Sequence, residues 1–278
     1  MKIIALTTLA LAWVAAAGPG CAQGMTPTLL AAHRGGSLLW PENSLLAFRN
    51  AAALGADYLE FDVHLSSDGE AVVIHDPTLD RTTTGSGAVS ARAVAELKAL
   101  RLKDRTGAVT AETVPTLDEV VAVGAGAGRR LLLEIKVDQG KARYPGIEER
   151  VLAVLDRHGM AAATVVMAFE AETWRRVRAL RPDIRAGALY SARALAAGAG
   201  VPRAIDDARA AGVAFVGLPY ALVTADAVGA ARTAGVLLGA WTVNEPDAMR
   251  RLFDVSIGVL ITDRPDVAKE LLNNRRIP

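Results

Sequence analysis

Tyr58-Leu59-Glu60-Phe61-Asp62-Val63-His64-Leu65 reads as a strand carrying two acids on an apolar run. Strand side chains alternate between faces, so Leu59, Phe61 and Val63 share one face while Glu60 and Asp62 share the other. His33-Arg34-Gly35 lies upstream at the end of another apolar run, and His75-Asp76-Pro77 lies downstream. Paired acids beside two histidines and an arginine suit a divalent cation and an anionic phosphate better than they suit a core.

Outward from that strand, short apolar runs alternate with amphipathic segments along the rest of the chain. Strands are expected at 29–32, 58–65, 131–135, 164–168, 184–189, 213–217, 236–242 and 258–261. Helices are expected at 43–54, 116–125, 147–157, 171–180, 203–210, 225–234, 246–252 and 265–272. Gly159, Gly212 and Gly235 stand where helices should stop, and Pro246 and Pro265 where they should start. Thr116 with Glu119 three residues on forms a capping-box signature. Eight strands, each followed by a helix, indicate an α/β chain closed as a (β/α)₈ TIM barrel. A doubly wound open sheet is the alternative, but the first strand lacks the Gly-x-Gly-x-x-Gly turn that would support it. A short extended piece is expected at 71–74. Residues 77–115 are turn-rich, with one helix near 91–100, and read as an insertion after the second strand.

The 278 residues are about half apolar, with a formal net charge of +1. That suffices for one large buried core and is too balanced to argue for nucleic acid. Residues 1–24 read as an export signal: Lys2, an apolar stretch from Ile3 to Ala17, then Gly18-Pro19-Gly20. The single cysteine, Cys21, stands where a lipoprotein would be lipidated. Gly18 occupies the place where such signals usually carry leucine, and ordinary cleavage after Ala17 or Ala22 competes. The expected location is therefore periplasmic or secreted, with membrane contact only through that anchor. The domain expected to do the chemistry is 25–278.

In a barrel of this kind, sites form at the carboxyl ends of the strands. His33 ends the first strand, Glu134 and Lys136 close the third, and Trp241 and Asn244 close the seventh. Glu60, Asp62 and Glu134 then converge as three oxygen ligands for Mg²⁺ or Ca²⁺. A simpler alternative pairs Glu60 and Glu134 with Arg34 and Lys136 as rim salt bridges, but it leaves Asp62 without a purpose. His33 and His75 are placed to move protons on either side of a phosphodiester. Arg34 offers a fork to phosphate and Lys136 a point charge. Trp241 either walls the pocket or fills the barrel mouth. Asn43 is expected to cap the first helix, with Glu42 left open; His64 shares a face with Glu60 and Asp62; His158 is expected to be structural at a helix end.

These stretches resemble the glycerophosphodiester phosphodiesterase family. Besides those quoted, the resemblance rests on Pro41-Glu42-Asn43-Ser44, Leu79-Asp80-Arg81-Thr82-Thr83, Val114-Pro115-Thr116-Leu117, Leu133-Glu134-Ile135-Lys136, Trp241-Thr242-Val243-Asn244 and Ile261-Thr262-Asp263-Arg264-Pro265-Asp266. It spans nearly the whole chain after the signal. It implies a barrel with a small insertion, and metal-dependent hydrolysis of glycerophosphodiesters to glycerol 3-phosphate and an alcohol. Glu60, Asp62 and Glu134 fall on metal positions, His33 and His75 on the acid-base pair, and Arg34 and Lys136 on phosphate positions. Ala168-Phe169 stands where the family often has Ser-Phe, which bears on headgroup preference, and Ser44 where threonine is usual. A phosphoester-binding barrel without catalysis, or a phospholipase acting on intact lipids, are the alternatives. Two histidines weigh against the first and the polar insertion against the second.

Overall fold

The apolar runs form strands because each alternates one face toward helices and one toward an enclosed interior. The computed structural model describes residues 27–198 and 200–275; the export signal read from residues 1–24, with Cys21, lies outside the described residues. Eight parallel strands make the barrel: β1 (Leu29–Ala32), β2 (Tyr58–Leu65), β3 (Arg130–Ile135), β4 (Thr164–Ala168), β5 (Arg185–Leu189), β6 (Phe215–Pro219), β7 (Leu237–Trp241) and β8 (Val259–Thr262). Each pairs with the next, and β1 closes the ring by pairing with β8 from Leu29↔Val259 to Ala32↔Thr262. The outer ring is α1 (Leu45–Leu54), α2 (Leu117–Gly126), α3 (Ile147–Arg157), α4 (Ala171–Leu180), α5 (Gly200–Ala210), α6 (Ala225–Thr233), α7 (Pro246–Asp254) and α8 (Pro265–Asn274).

Two layers of core follow from the alternation. Leu59, Phe61 and Val63 of β2 face the helices in the large outer cluster, where Phe61 meets Phe48 of α1 edge to face at 5.7 Å. Tyr58 of β2 faces inward, with Leu132, Val165, Met167, Leu189, Phe215, Val259 and Ile261. The Phe215 ring fits only because β5 and β7 present glycine beside it. A Cβ on Gly239 would stand 2.4 Å from Phe215 Cζ, and one on Gly187 would stand 3.0 Å from Phe215 Cδ1. Continued upward, the inward parity reaches His33, Asp62, Lys136, Phe169, Trp241 and Asp263 at the carboxyl rim.

The connection from β2 to α2 holds more structure than its sequence signals. A short strand (Ala71–Val73) runs antiparallel to β2, followed by a helical turn (Val89–Ala91), a helix (Val94–Ala99) and a hairpin of Arg101–Lys103 with Val109–Thr113. These pack on their own cluster of Val72, Ile74, Leu79, Val89, Leu97, Leu102 and Val114. A further helix, Ala192–Ala197, precedes α5. The capping box at α2 forms as expected, Thr116 Oγ1 accepting from Glu119 N while Glu119 accepts from Thr116 N. The expected cap of α1 is corrected: Ser44, not Asn43, accepts from Ala47 N at 3.0 Å. Asn43 adopts a left-handed backbone (φ 56°) outside the helix and turns its side chain elsewhere. No helix among the described residues is long and apolar enough to cross a membrane.

Candidate active site

β1 ends in a single tight turn, His33–Gly35, in which Arg34 is left-handed (φ 50°, ψ 33°). That conformation is uncommon outside glycine, and such backbones concentrate at functional sites. It aims the Arg34 N–H at Glu60, donating to Oε2 at 2.8 Å. Gly35 follows against α1, where a Cβ would stand 2.7 Å from Ala47 Cβ.

The register of β2 on β3 sets Asp62 beside Glu134, with Glu60 one inward position deeper. One carboxylate oxygen from each of the three lies within 4.8 Å of the others, and all three residues are buried. Lys136 stands over them, 2.8 Å from Glu134 Oε1 and 3.4 Å from Asp62 Oδ1. Asn43 Nδ2 donates to Asp62 Oδ2 at 3.0 Å, while the buried Asp62 Oδ1 has no hydrogen-bond partner. Burial pushes Glu60 up to about 8, with Asp62 adding and His33 opposing. Burial also raises Glu134 against the pull of Lys136. Burial would raise Asp62 as well, but Lys136, His75 and Arg34 together hold it well below the usual carboxylate range. Burial is thus the largest force against ionised Glu60 and Glu134, and a cation held there would offset it. Three buried carboxylates, one with an oxygen that accepts no hydrogen bond, fit a hard divalent cation such as Mg²⁺ or Ca²⁺.

Both histidines are held from behind by an aspartate. His33 Nδ1 lies 2.6 Å from Asp263 Oδ1, and Asp263, at the end of β8, also accepts from Ser37 Oγ at 2.6 Å and Asn244 Nδ2 at 2.7 Å. His75 Nδ1 lies 2.7 Å from Asp76 Oδ1. A carboxylate acceptor places the proton on Nδ1 of each ring, which presents Nε2 for proton transfer. His33 Nε2 stands 4.0 Å from Glu60 Oε2. Burial pushes the His33 pKa down, but Glu60 and the Asp263 hydrogen bond outweigh it, so the ring titrates above its ordinary value.

One pocket is lined by His33, Arg34, Glu60, His75, Glu134 and Lys136 on its charged side. Met167, Phe169, Leu189, Trp241 and Ile261 form the opposite, apolar side. Trp241 walls this pocket, edge to face with Phe169 at 5.7 Å. Asp62 sits against the charged side, within reach of Arg34 Nε at 3.7 Å. Residues expected at the site therefore meet there, and two of the neighbouring ones play other parts. His64 does not line the pocket; its Nε2 pairs with the His75 carbonyl at 3.0 Å and its Nδ1 with Tyr144 Oη at 2.8 Å. Burial lowers its pKa to about 4, so the ring is neutral. Glu42 bridges Arg34 and Arg81. His158 ends α3, 3.2 Å from Asp118, as a structural group would. Asp76, Arg81, Asn244 and Asp263 lie within the quoted stretches but had no role read from sequence. An acid directly after His75 was the available signal for Asp76; Asp263 lies 230 residues from its partner, so only the closed barrel pairs them.

The residue pattern of the glycerophosphoryl diester phosphodiesterase family matches residues 33–267. The chain belongs to that family. It is 32% identical to a glycerophosphodiester phosphodiesterase of Caldanaerobacter subterraneus over 88% of this chain and 98% of that one. It is 29% identical to one of Bacillus subtilis, over 91% and 89% respectively. Among solved structures, a putative glycerophosphoryl diester phosphodiesterase of Agrobacterium tumefaciens superposes with a TM-score of 0.83 at 28% identity, covering 91% of this chain and all of that one. A phosphodiesterase of Oleispira antarctica, in complex with the product sn-glycerol-3-phosphate, superposes with a TM-score of 0.74 at 27% identity, covering 89% and 97%. The glycerophosphoryl diester phosphodiesterase pattern thus spans every strand of the barrel beyond β1, and its first residue is His33.

Proposed function

We propose that this family member hydrolyses glycerophosphodiesters to glycerol 3-phosphate and an alcohol, using Glu60, Asp62 and Glu134 to hold a divalent cation and His33 and His75 to move protons. The observation that carries it is the meeting, in one pocket, of three buried carboxylates and two aspartate-backed imidazoles. A cation held by those carboxylates would supply Lewis-acid polarisation of the phosphoryl oxygens. Arg34 presents its guanidinium to a non-bridging oxygen, oriented by Glu42 at 3.1 Å, and Lys136 adds charge from the β3 side. His33 Nε2 takes the proton of the attacking oxygen, which comes from water or from the glycerol's own hydroxyl; in the second case a cyclic phosphate forms as the alcohol leaves, and water then opens it to glycerol 3-phosphate. Asp263 stabilises the imidazolium that forms. His75 Nε2 gives its proton to the departing alkoxide, and Asp76 holds that ring in place. The apolar side formed by Phe169 and Trp241 covers the carbon face of the organic group and excludes water.

Release of glycerol 3-phosphate from glycerophosphocholine and related deacylated diesters by the purified protein tests this. Turnover on at least one diester is expected; tight binding without release from any of them would make the barrel a binder. We propose further that residues 1–24 direct export, which the mass of the N-terminus of the exported protein checks, including the fate of Cys21.

A further inference from the structure

We infer that Arg81 is a positioning residue that locks the phosphate-binding Arg34 and the proton donor His75 into one frame. This deepens the proposed hydrolysis and rests on it. The guanidinium lies between two carboxylates and bonds both in fork fashion. Nε and Nη2 donate to Asp76 Oδ2 and Oδ1 at 2.7 and 2.9 Å. Nη1 and Nη2 donate to Glu42 Oε2 and Oε1 at 2.7 and 2.9 Å. Each carboxylate has a second client: Asp76 Oδ1 faces His75 Nδ1 at 2.7 Å, and Glu42 Oε1 accepts from Arg34 Nη1 at 3.1 Å. One side chain from the β2–α2 connection therefore spans the two sides of the phosphate site.

The turn that presents Arg81 is itself pinned. Leu79 is buried in the small cluster of the insertion, and its carbonyl accepts from both the N–H and the hydroxyl of Thr83, at 3.0 and 2.7 Å. The Arg81 side chain is 48% exposed while Glu42 and Asp76 are 15% and 24% exposed, so the guanidinium closes over both carboxylates from the solvent side. Planar two-sided forks fix direction, which an ammonium could not do. Removing the guanidinium frees Asp76 to rotate away from His75 Nδ1 and frees Glu42 to pair with Arg34 in other geometries. The first effect reaches the proton given to the leaving group, and the second reaches phosphate binding.

Leaving groups separate these from a general loss of structure. A choline alkoxide must be protonated as it departs, whereas p-nitrophenolate leaves without a proton. The experiment compares kcat and KM on glycerophosphocholine and on the p-nitrophenyl ester of glycerol 3-phosphate. The proteins are wild type, Arg81→Met, Arg81→Lys, His75→Ala and His75→Ala/Arg81→Met. His75→Ala should lose kcat selectively on the choline ester. Arg81→Met should show the same selectivity in smaller measure, about tenfold or more, since full acid-base terms reach roughly 10²–10⁴. It should also raise KM on both esters. Arg81→Lys should fall between Arg81→Met and wild type, because an ammonium satisfies one carboxylate at a time. In the double variant, Arg81→Met should add no further selectivity, since its route through His75 is already gone. Equal loss on both esters, or selectivity that adds in the double variant, would overturn the inference while leaving the hydrolysis intact. Failure of His75→Ala itself to discriminate would overturn the role given to His75, and this inference with it.

Discussion

His33 and His75 carry the same device in two places: an imidazole with an aspartate behind Nδ1 and an open Nε2. Replacing either with alanine is expected to lower kcat by about 10²- to 10⁴-fold, checked by product release at saturating substrate. Asp263 lends itself to a test separate from catalysis. Burial would raise its pKa, but hydrogen bonds from His33, Ser37 and Asn244 hold it down at about 2. A carboxylate with a lowered folded pKa stabilises the fold above its ordinary value near 3.9 and loses that contribution as pH falls toward the folded value. Wild type should therefore lose about 2 kcal/mol between pH 4 and 2 through this group. Asp263→Asn should lack that component of acid destabilisation in urea titrations across the same window. Its kcat should fall as well, because the amide no longer favours the His33 imidazolium. These partners were not legible from sequence: alternation told which face a residue takes, not which distant strand meets it.

At the scale of elements, period and punctuation carried most of the fold. Every barrel strand was visible as an apolar run, and the glycines and prolines that flank the helices stood where the backbone needs them. What escaped was local. Asn43 and Ser44 are both good caps, and the choice fell to Ser44 because Asp62 claims the Asn43 amide. The hairpin of Arg101–Lys103 and Val109–Thr113 is short and buries only Leu102, so it shows no apolar run. Ala192–Ala197 has four alanines in six residues and buries only Leu195, which supplies helix propensity but little amphipathic signal. Gly239 on β7 offers an element-level test. Alanine there would place its Cβ 2.4 Å from the ring of Phe215, which is fully buried. Gly239→Ala should destabilise by about 1–3 kcal/mol, as overpacking does, read as a lowered urea midpoint. Pairing it with Phe215→Leu should restore part of the loss.

Across the whole molecule, the site exists only when the ring is shut. His33 comes from β1, the acids from β2 and β3, Trp241 from β7 and Asp263 from β8, and His75 follows the short strand against β2. Neighbouring strands β8, β1, β2 and β3 are consecutive in the closed sheet, so residues far apart in sequence stand side by side. Sequence order alone gave the count of strands and the rim to which charges collect. The register of β1 on β8, the hydrogen bond that His33 Nδ1 donates to Asp263 and the span of Arg81 required the folded chain. The central claim is that Glu60, Asp62 and Glu134 grip one hard cation on which turnover depends. Glycerol 3-phosphate release by chelator-treated protein, followed as Mg²⁺ or Ca²⁺ is added back, tests it most directly. Activity should disappear on chelation, return with the cation in wild type and fail to return in Asp62→Asn; undiminished turnover after complete removal of divalent cations would contradict it.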